Sequence, residues 1–596
     1  MATANGRDGR DARDQAAEET TALLNPRDGE EQDAVNSDGD MNGADDYTWD
    51  GYKDYEGLSR WRTPSVFWLL GPFIVFTLAF GGVMVPKLNL IVTLVCKQYL
   101  SDRHSADPSQ PFVPVFVGGD NPQCNIPEVQ SRVSTFNLVA AFTSGLLSSL
   151  VVPRLGRLSD RYGRTKLMAF ASVGGVLSEI LTVVVANFPD ALDYRWLLLG
   201  SFFDGATGSF IGGSLLTQSY TTDCTPPSKR AVYIGYTHAC LATGLALGPL
   251  LAAYFIKWTG SLLSIFYVVV ACHLLYILTL AFVVPESLVA KKREAARRRH
   301  AKDQRDKDRH MGTWLARVQK VNPLEPLAIL WPTGPGTSSR LRINLVSLTV
   351  VDTILVGVGI ASGPIIILYS EYMFDWGNLE SSQFVSTFAF LRAFILLGLF
   401  PLINHLARTL PAKRRAAAAD VPVASLLREK NSGADPVDIW VLRFALSTEV
   451  IGAVGFMLAR TGRAFFISGL ITALSGLGSA TIQATVTKHV PQRLVGQVLG
   501  AIGMLHALTR VIGPVIFNGI YAATVGILPQ AFFFILVGIF LVAFLITLTL
   551  RPGDRAVVWE QTGDEDETEP LNPSEDARTD RLRNAVAIDE DQGMII

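Results

Sequence analysis

Cysteine is scarce in this chain. There are five in 596 residues (Cys96, Cys124, Cys224, Cys240 and Cys272), none at the short spacings of zinc or iron–sulfur ligands, so no metal site is expected. No G-x-x-x-x-G-K-(S/T) segment occurs, which removes the usual phosphate cradle and with it nucleotide hydrolysis as an energy source. The eight histidines are scattered and no Ser/His/Asp grouping stands out, so neither an enzyme nor a cofactor is expected, and nucleic acid is not an expected partner. No Asn-x-Ser/Thr acceptor with a permitted middle residue is found, and residues 1–60 lack the apolar core of a signal peptide. Charge is also thin, at 18% of residues.

What is abundant is apolar sequence: 49% hydrophobic residues and a mean hydropathy of +0.29, too high for an ordinary soluble protein of this length. The net charge of −2 hides three regions. Residues 1–60 hold 16 acids and 6 bases, residues 551–596 hold 13 acids and 5 bases, and the middle is net +16. Both ends read as disordered acidic tails. Between them, apolar stretches recur at about 65–95, 136–152, 167–187, 195–220, 231–256, 262–284, 343–370, 381–406, 437–459, 463–487, 495–523 and 528–550. Each is long enough to cross a bilayer core of about 30 Å as a helix. The expected organisation is six helices in 61–285, a basic linker over 286–341 and six more in 342–550, an all-α membrane protein.

Lys and Arg concentrate in alternate loops: Arg154 to Lys166, Lys229 with Arg230, the run after Lys291, Arg408 to Lys430, and Lys488 with Arg493. The intervening loops carry Asp102, Asp107, Asp120, Glu128, Asp190, Asp193, Glu371, Asp375 and Glu380. The first set is expected to be cytoplasmic, as are both tails. Cys96 and Cys124 bracket the first loop of the other side, as a disulfide or as two free thiols. Residues 291–310 hold ten cations and four acids, read either as a segment near an anionic leaflet, with Trp314, Leu315 and Val318 as a short amphipathic turn, or as a solvated spacer.

The segment from Gly156 to Lys166 is the most specific signal. Its eleven residues contain four cations and one acid between two apolar stretches, so it belongs to a water-side turn joining two spans. It resembles the signature loop of the major facilitator superfamily, G-x-L-(S/A)-D-R-x-G-R-(K/R), with Gly156, Leu158, Asp160, Arg161, Gly163 and Arg164 all matching. The resemblance implies a gate formed by Gly156, Asp160, Arg161, Gly163 and Arg164 that holds one state of the carrier, in two six-helix halves with solute bound between them. A shift of 265 residues supports such a repeat: Gly213/Gly478, Ser214/Ser479, Gln218/Gln483, Thr222/Thr487, Pro226/Pro491, Gly235/Gly500, Gly248/Gly513 and Pro249/Pro514 all coincide within 37 ungapped positions. Gly244-x-x-x-Gly248-Pro249 partly resembles the superfamily's fifth-helix antiporter motif, closing on Ala252-Ala253 instead of two glycines. Close helix packing explains these small residues equally, and Gly513 and Pro514 stand in the repeat mate. The fourth helix departs from the family's R-x-x-q-G pattern, with Ser201 for the arginine and Asp204 for the glutamine.

Charge inside a span costs at least ~2.5–3.5 kcal/mol and needs a partner or a wet cavity. Asp204, Asp352 and Arg392 fall near the middle of their spans. The resemblance places Asp204 and Asp352 on the solute path, with His238, Arg392, His506 and Arg510 beside it; His506 and Arg510, four apart, share a helix face. A carboxylate withdrawn from water is a ready proton carrier. Glu179 and Glu449 are read as structural, and Lys87 as reaching outward. The surroundings of Asp204 and His238 also look similar to the proton-coupled folate transporter group.

The expected function is secondary active transport of a small organic solute by alternating access, coupled to protons, by a monomer. The competing reading is a transporter-like sensor signalling through its tails. Glu19-Thr20-Thr21-Ala22-Leu23-Leu24 resembles the acidic dileucine sorting signal, in which Glu19, Leu23 and Leu24 would engage an adaptor complex. The expected location is therefore a vacuolar or plasma membrane.

Overall fold

Hydrocarbon offers no partner to a peptide N–H, so apolar runs of this length must close their hydrogen bonds within helices. The computed structural model describes residues 55–552 apart from 56, 60, 107–113, 117–120, 125, 310–323, 334–336, 377, 420–432 and 525, and the described residues contain no strand. The sorting-signal residues Glu19, Leu23 and Leu24, and Trp314, Leu315 and Val318, lie outside them.

Among the described residues, eleven helices are long and apolar enough to cross a membrane. The first half has α1 (Val66–Ala106), α2 (Pro127–Tyr162), α3 (Arg164–Asn187), α5 (Pro227–Thr259) and α6 (Leu262–Phe282). Where the fourth span was expected, α4 consists of two short pieces, Leu197–Ala206 and Ser209–Asp223. The second half has α7 (Ser339–Phe374) and α8, which runs from Asn378 through π turns at Ile395–Leu399 and His405–Thr409 to Ala419. It continues with α9 (Pro436–Leu458), α10 (Gly462–Thr472 and Gly476–Lys488 about a tight turn), α11 (Val495–Thr524) and α12 (Ala531–Leu548). A further helix, Ala290–Arg309, follows α6 and contains no side chain more apolar than alanine, so it belongs in water.

Three expectations are corrected. α1 continues to Ala106 and carries Cys96 inside it rather than at a loop end. Cys96 and Cys124 form a disulfide with a Cα–Cα distance of 5.5 Å, joining α1 to the turn just before α2 on the side away from the signature segment. The signature segment is mostly helix: α2 runs to Tyr162, α3 begins at Arg164, and Gly163 alone (φ 109°) makes the turn. One residue in a region that L side chains avoid is enough to reverse the chain. Lys87 does not reach outward; its Nζ lies 2.8 Å from Glu179 Oε1, because two charges in lipid cost less together than apart.

In lipid no hydrophobic effect draws helices together, so close approach depends on small residues. On α5, a Cβ at Gly248 would stand 2.6 Å from Gly82 N and 2.7 Å from Leu78 O of α1, and one at Gly244 would meet the Thr77 carbonyl. Across the repeat, a Cβ on Gly513 of α11 would stand 3.0 Å from Ala361 Cβ of α7. Backbone cannot yield as a side chain can. Gly248→Ala should therefore cost about 1–3 kcal/mol of stability, measured as unfolding in mixed detergent; an unchanged midpoint would show α1 and α5 to be looser than described.

The halves meet on the face that carries the signature segment. Gly156 of α2 packs on the Gly496 carbonyl of α11, with Gly500 and Pro153 beside them, and Gly235 of α5 packs on the Phe400 ring of α8. One buried cluster joins Val152, Ile211 and Leu215 of the first half to Val486, Val498 and Leu499 of the second. Trp258, Phe282, Phe394 and Trp440 stay exposed, as lipid contact requires.

Candidate functional site

At the basic face, Arg164 is fully buried at the start of α3. Its guanidinium lies 2.6 Å from Asp160 Oδ1 at the end of α2 and 2.9 Å from Asp223 Oδ2 at the end of α4. Ser159 Oγ also accepts from it. Burial of one cation is tolerated here because two acids and a hydroxyl surround it. Glu286, just past α6, caps α3: its carboxylate accepts from Arg164 N (2.7 Å), Thr165 N (3.2 Å) and Thr165 Oγ1 (2.9 Å). Those N–H groups are the unpaired donors of a helix start. Ser287 Oγ donates to Asp223 Oδ2 (3.1 Å), and Tyr55 Oη donates to the Ser287 carbonyl (2.6 Å). Gly496 at the start of α11 lies so close that a Cβ there would be 2.5 Å from both Asp160 Oδ1 and Arg164 Nη1. The partner of Asp160 is thus Arg164, while the Arg161 carbonyl accepts from Arg297 Nε (3.0 Å) of the helix that follows α6.

At mid-depth, α4 breaks at Thr207–Ser209, with Gly208 at φ 97° and Ser209 at φ 57°. A serine held there costs about 1–3 kcal/mol. At the break, Thr207 Oγ1 lies 3.1–3.3 Å from three carbonyl oxygens, Ala171 O of α3 and Phe203 O and Asp204 O of α4, and its single proton is shared among them. A Cβ at Gly205 would stand 2.7 Å from the Ser144 carbonyl, so the missing side chain lets α4 close on α2. There Asp204 Oδ2 accepts from Ser144 Oγ (2.7 Å) and from Ser209 Oγ (2.8 Å). Ser209 Oγ in turn accepts from Arg510 Nη1 (3.2 Å) of α11. The order Asp204–Ser209–Arg510 crosses from one half to the other.

The remaining mid-depth residues form two further groups. Asp352, fully buried on α7, accepts from His506 Nε2 of α11 at 2.9 Å, inside the second half. His238 of α5 crosses the halves: its Nε2 lies 2.9 Å from Gln483 Oε1 and its Nδ1 3.3 Å from Ser479 Oγ, both on α10. A carbonyl oxygen only accepts, so Nε2 carries the proton. Arg392 of α8 reaches the same Ser479 at 3.4 Å. Glu449 accepts from Ser475. Sequence reasoning missed Ser144, Ser209, Asp223 and Glu286; Ser479 and Gln483 had appeared only as repeat identities.

One residue past α10, His489 is wholly buried, its Nδ1 2.8 Å from the Thr485 carbonyl and its Nε2 3.3 Å from Asn344 Nδ2. Nδ1 must donate and Nε2 accept, so the ring is neutral, and burial pushes its pKa down to about 4. The folded chain therefore binds fewer protons than the unfolded one between pH 6.5 and 4. Stability present at neutral pH is lost as pH falls through that window, by roughly 3 kcal/mol. His489→Gln should flatten the acid limb of a melting-temperature profile; an unchanged limb would assign the acid sensitivity elsewhere.

Long apolar helices in two abutting halves, a signature segment closing one face and ionisable groups at mid-depth define a membrane carrier. The Major Facilitator Superfamily profile matches residues 121–424 and 437–588, and the chain belongs to that family. Among its relatives, the MFS-type transporter avaJ of Aspergillus versicolor is 27% identical over 488 residues, 81% of this chain and 89% of that one. The class C tetracycline resistance protein of Escherichia coli is 23% identical over 64% of this chain and 78% of its own. The human organic anion transporter MFSD10 (TETRAN) superposes with a TM-score of 0.57 at 17% identity, over 81% of this chain and 98% of that one, which shows the shared fold.

Proposed function

We propose that this multi-pass membrane transporter is a proton-coupled secondary carrier of a small organic solute, working by alternating access, with its basic face cytoplasmic and, in the arrangement described above, closed. The Asp204–Ser209–Arg510 bridge carries the reading. A charged Asp204 accepts from Ser209, whose hydroxyl then presents its lone pairs to Arg510 across the halves. A proton on Asp204 removes the charge that orients this hydroxyl, and the link between halves weakens. A proton arriving from one side is thereby converted into freedom of one half to rock against the other. The break in α4 places this bridge on irregular backbone at mid-depth, the kind of position at which carriers hold ions and solutes. Asp352 with His506, and His238 with Arg392, are assigned to the same path.

Tetracycline resistance is in the name of one relative and organic anion transport in that of one structural neighbour; an organic solute is the cargo assigned here. The assignment is tested by flux of a panel of organic solutes into proteoliposomes carrying the purified protein, under pH gradients of both signs. Accumulation that reverses direction with the gradient supports the carrier and separates symport from antiport. Binding without flux under either gradient would overturn it.

A further inference from the structure

The buried triad at the basic face of the first half has a counterpart in the second half with every charge reversed. In the first half an acid on α2 (Asp160), a cation on α3 (Arg164) and an acid on α4 (Asp223) come together. In the second half the equivalent places hold a cation on α8 (Arg408), an acid at the start of α9 (Asp438) and a cation closing α10 (Lys488). Lys488 Nζ lies 2.7 Å from Asp438 Oδ2, and Arg408 pairs with Asp438 Oδ1. Asp435 joins from the rim, 3.1 Å from Lys488 and 3.3 Å from Arg408. The shift of 265 residues that aligns the repeat sets Asp223 directly on Lys488. Asp438 is 3% exposed and Lys488 1%, so this is no surface ion pair.

The second triad also reaches across the halves. Arg408 Nη1 donates to the Ser228 carbonyl in the first turn of α5, just as Asp160 lies against Gly496 in the first turn of α11. Beside it, Arg230 of α5 donates to Thr487 Oγ1 (3.2 Å), the residue before Lys488. Arg408 is thus held straight by Asp438 while it grips the other half. Asp438 shares that hold with Asn404 Oδ1, which accepts from Arg408 Nη1 at 3.0 Å, and with Asp435 at the rim, and it is the most buried of the three. We propose that Asp438, with Lys488, positions Arg408 as a second latch, of opposite polarity to the signature triad, and that both must release before the basic face opens.

The proposal rests on the alternating-access reading, and the test separates the two. Spin labels at Arg154→Cys and Arg493→Cys, one on each half near the basic face, report its opening in a background with Cys224, Cys240 and Cys272 changed to Ser. The full chain in lipid nanodiscs is compared with Asp160→Asn, Asp438→Asn and the double variant. Each single substitution should raise the ratio of open to closed distances at least about threefold, and the double should multiply the two ratios, because independent latches on one equilibrium add in free energy. If Asp160→Asn opens the face and Asp438→Asn lowers only the melting temperature, the second triad is internal packing and the proposal falls. If neither moves the distances, the rocking-halves reading falls with it. Should Asp438→Asn fail to fold, Arg408→Gln reads the same latch from a partly accessible side chain, and Arg408→Lys should recover part of the closed population.

Discussion

Asp204→Asn should abolish coupling while sparing the carrier: gradient-driven accumulation falls by about 100-fold or more, the size expected for loss of a positioned proton-transfer group. The reasoning is local. An asparagine oxygen still accepts from Ser144, so the contact of α4 with α2 survives, but like the protonated acid it carries no charge to orient the Ser209 hydroxyl, and the bridge to Arg510 is held in its loosened form. What is lost is the ability to take up and release a proton, and with it the switch between a tight and a loose bridge. Exchange of labelled solute at equal pH on both sides should therefore persist, since it needs only the halves to rock. The measurement is accumulation against counterflow for a solute found in the flux panel. Equal losses in both would mean a damaged site rather than an uncoupled one, and full accumulation would remove Asp204 from the proton path.

Arg164→Gln should be the most damaging single change to stability at the basic face. It removes the cation bonded to both Asp160 and Asp223 while leaving both acids buried. Breaking a buried pair from one side costs about 3–5 kcal/mol, because the stranded charge has lost water and gained nothing. Two stranded acids in proximity place this variant at the upper end. Loss of Asp160 alone leaves Arg164 with Asp223, so Asp160→Asn should lose less. Unfolding in mixed detergent, with the order wild type, Asp160→Asn, Arg164→Gln, checks the argument; a loss below about 1 kcal/mol for Arg164→Gln would show the cluster to be hydrated.

The spans and the signature segment were legible because each is a local pattern: an apolar run of fixed length, or six residues at fixed spacing. The break in α4 was not, since residues 195–220 read as one predominantly apolar run and Gly208 looks like any other membrane glycine. The signature segment was read as a water-side turn. Gly163 makes one, but Gly156 is small because α11 presses on it, a fact that resides in a partner 340 residues away. Asp223, Arg408, Asp438 and Lys488 sit at span ends, where hydropathy reads charge as loop. Counting Arg408 and Lys488 as positive loop residues gave the expected orientation and concealed that both are paired. Glu286 looked like the beginning of a linker, yet its role is to cap a helix more than 120 residues earlier.

The bridge between Cys96 and Cys124 bears on where the protein resides. Thiols exposed to cytosolic glutathione stay reduced, and a lasting bond between them belongs to a secretory lumen, a vacuole interior or the cell exterior. This supports the orientation proposed above, with the basic face cytoplasmic and the Cys96–Cys124 end on the opposite side, on physics unrelated to the lysine–arginine bias.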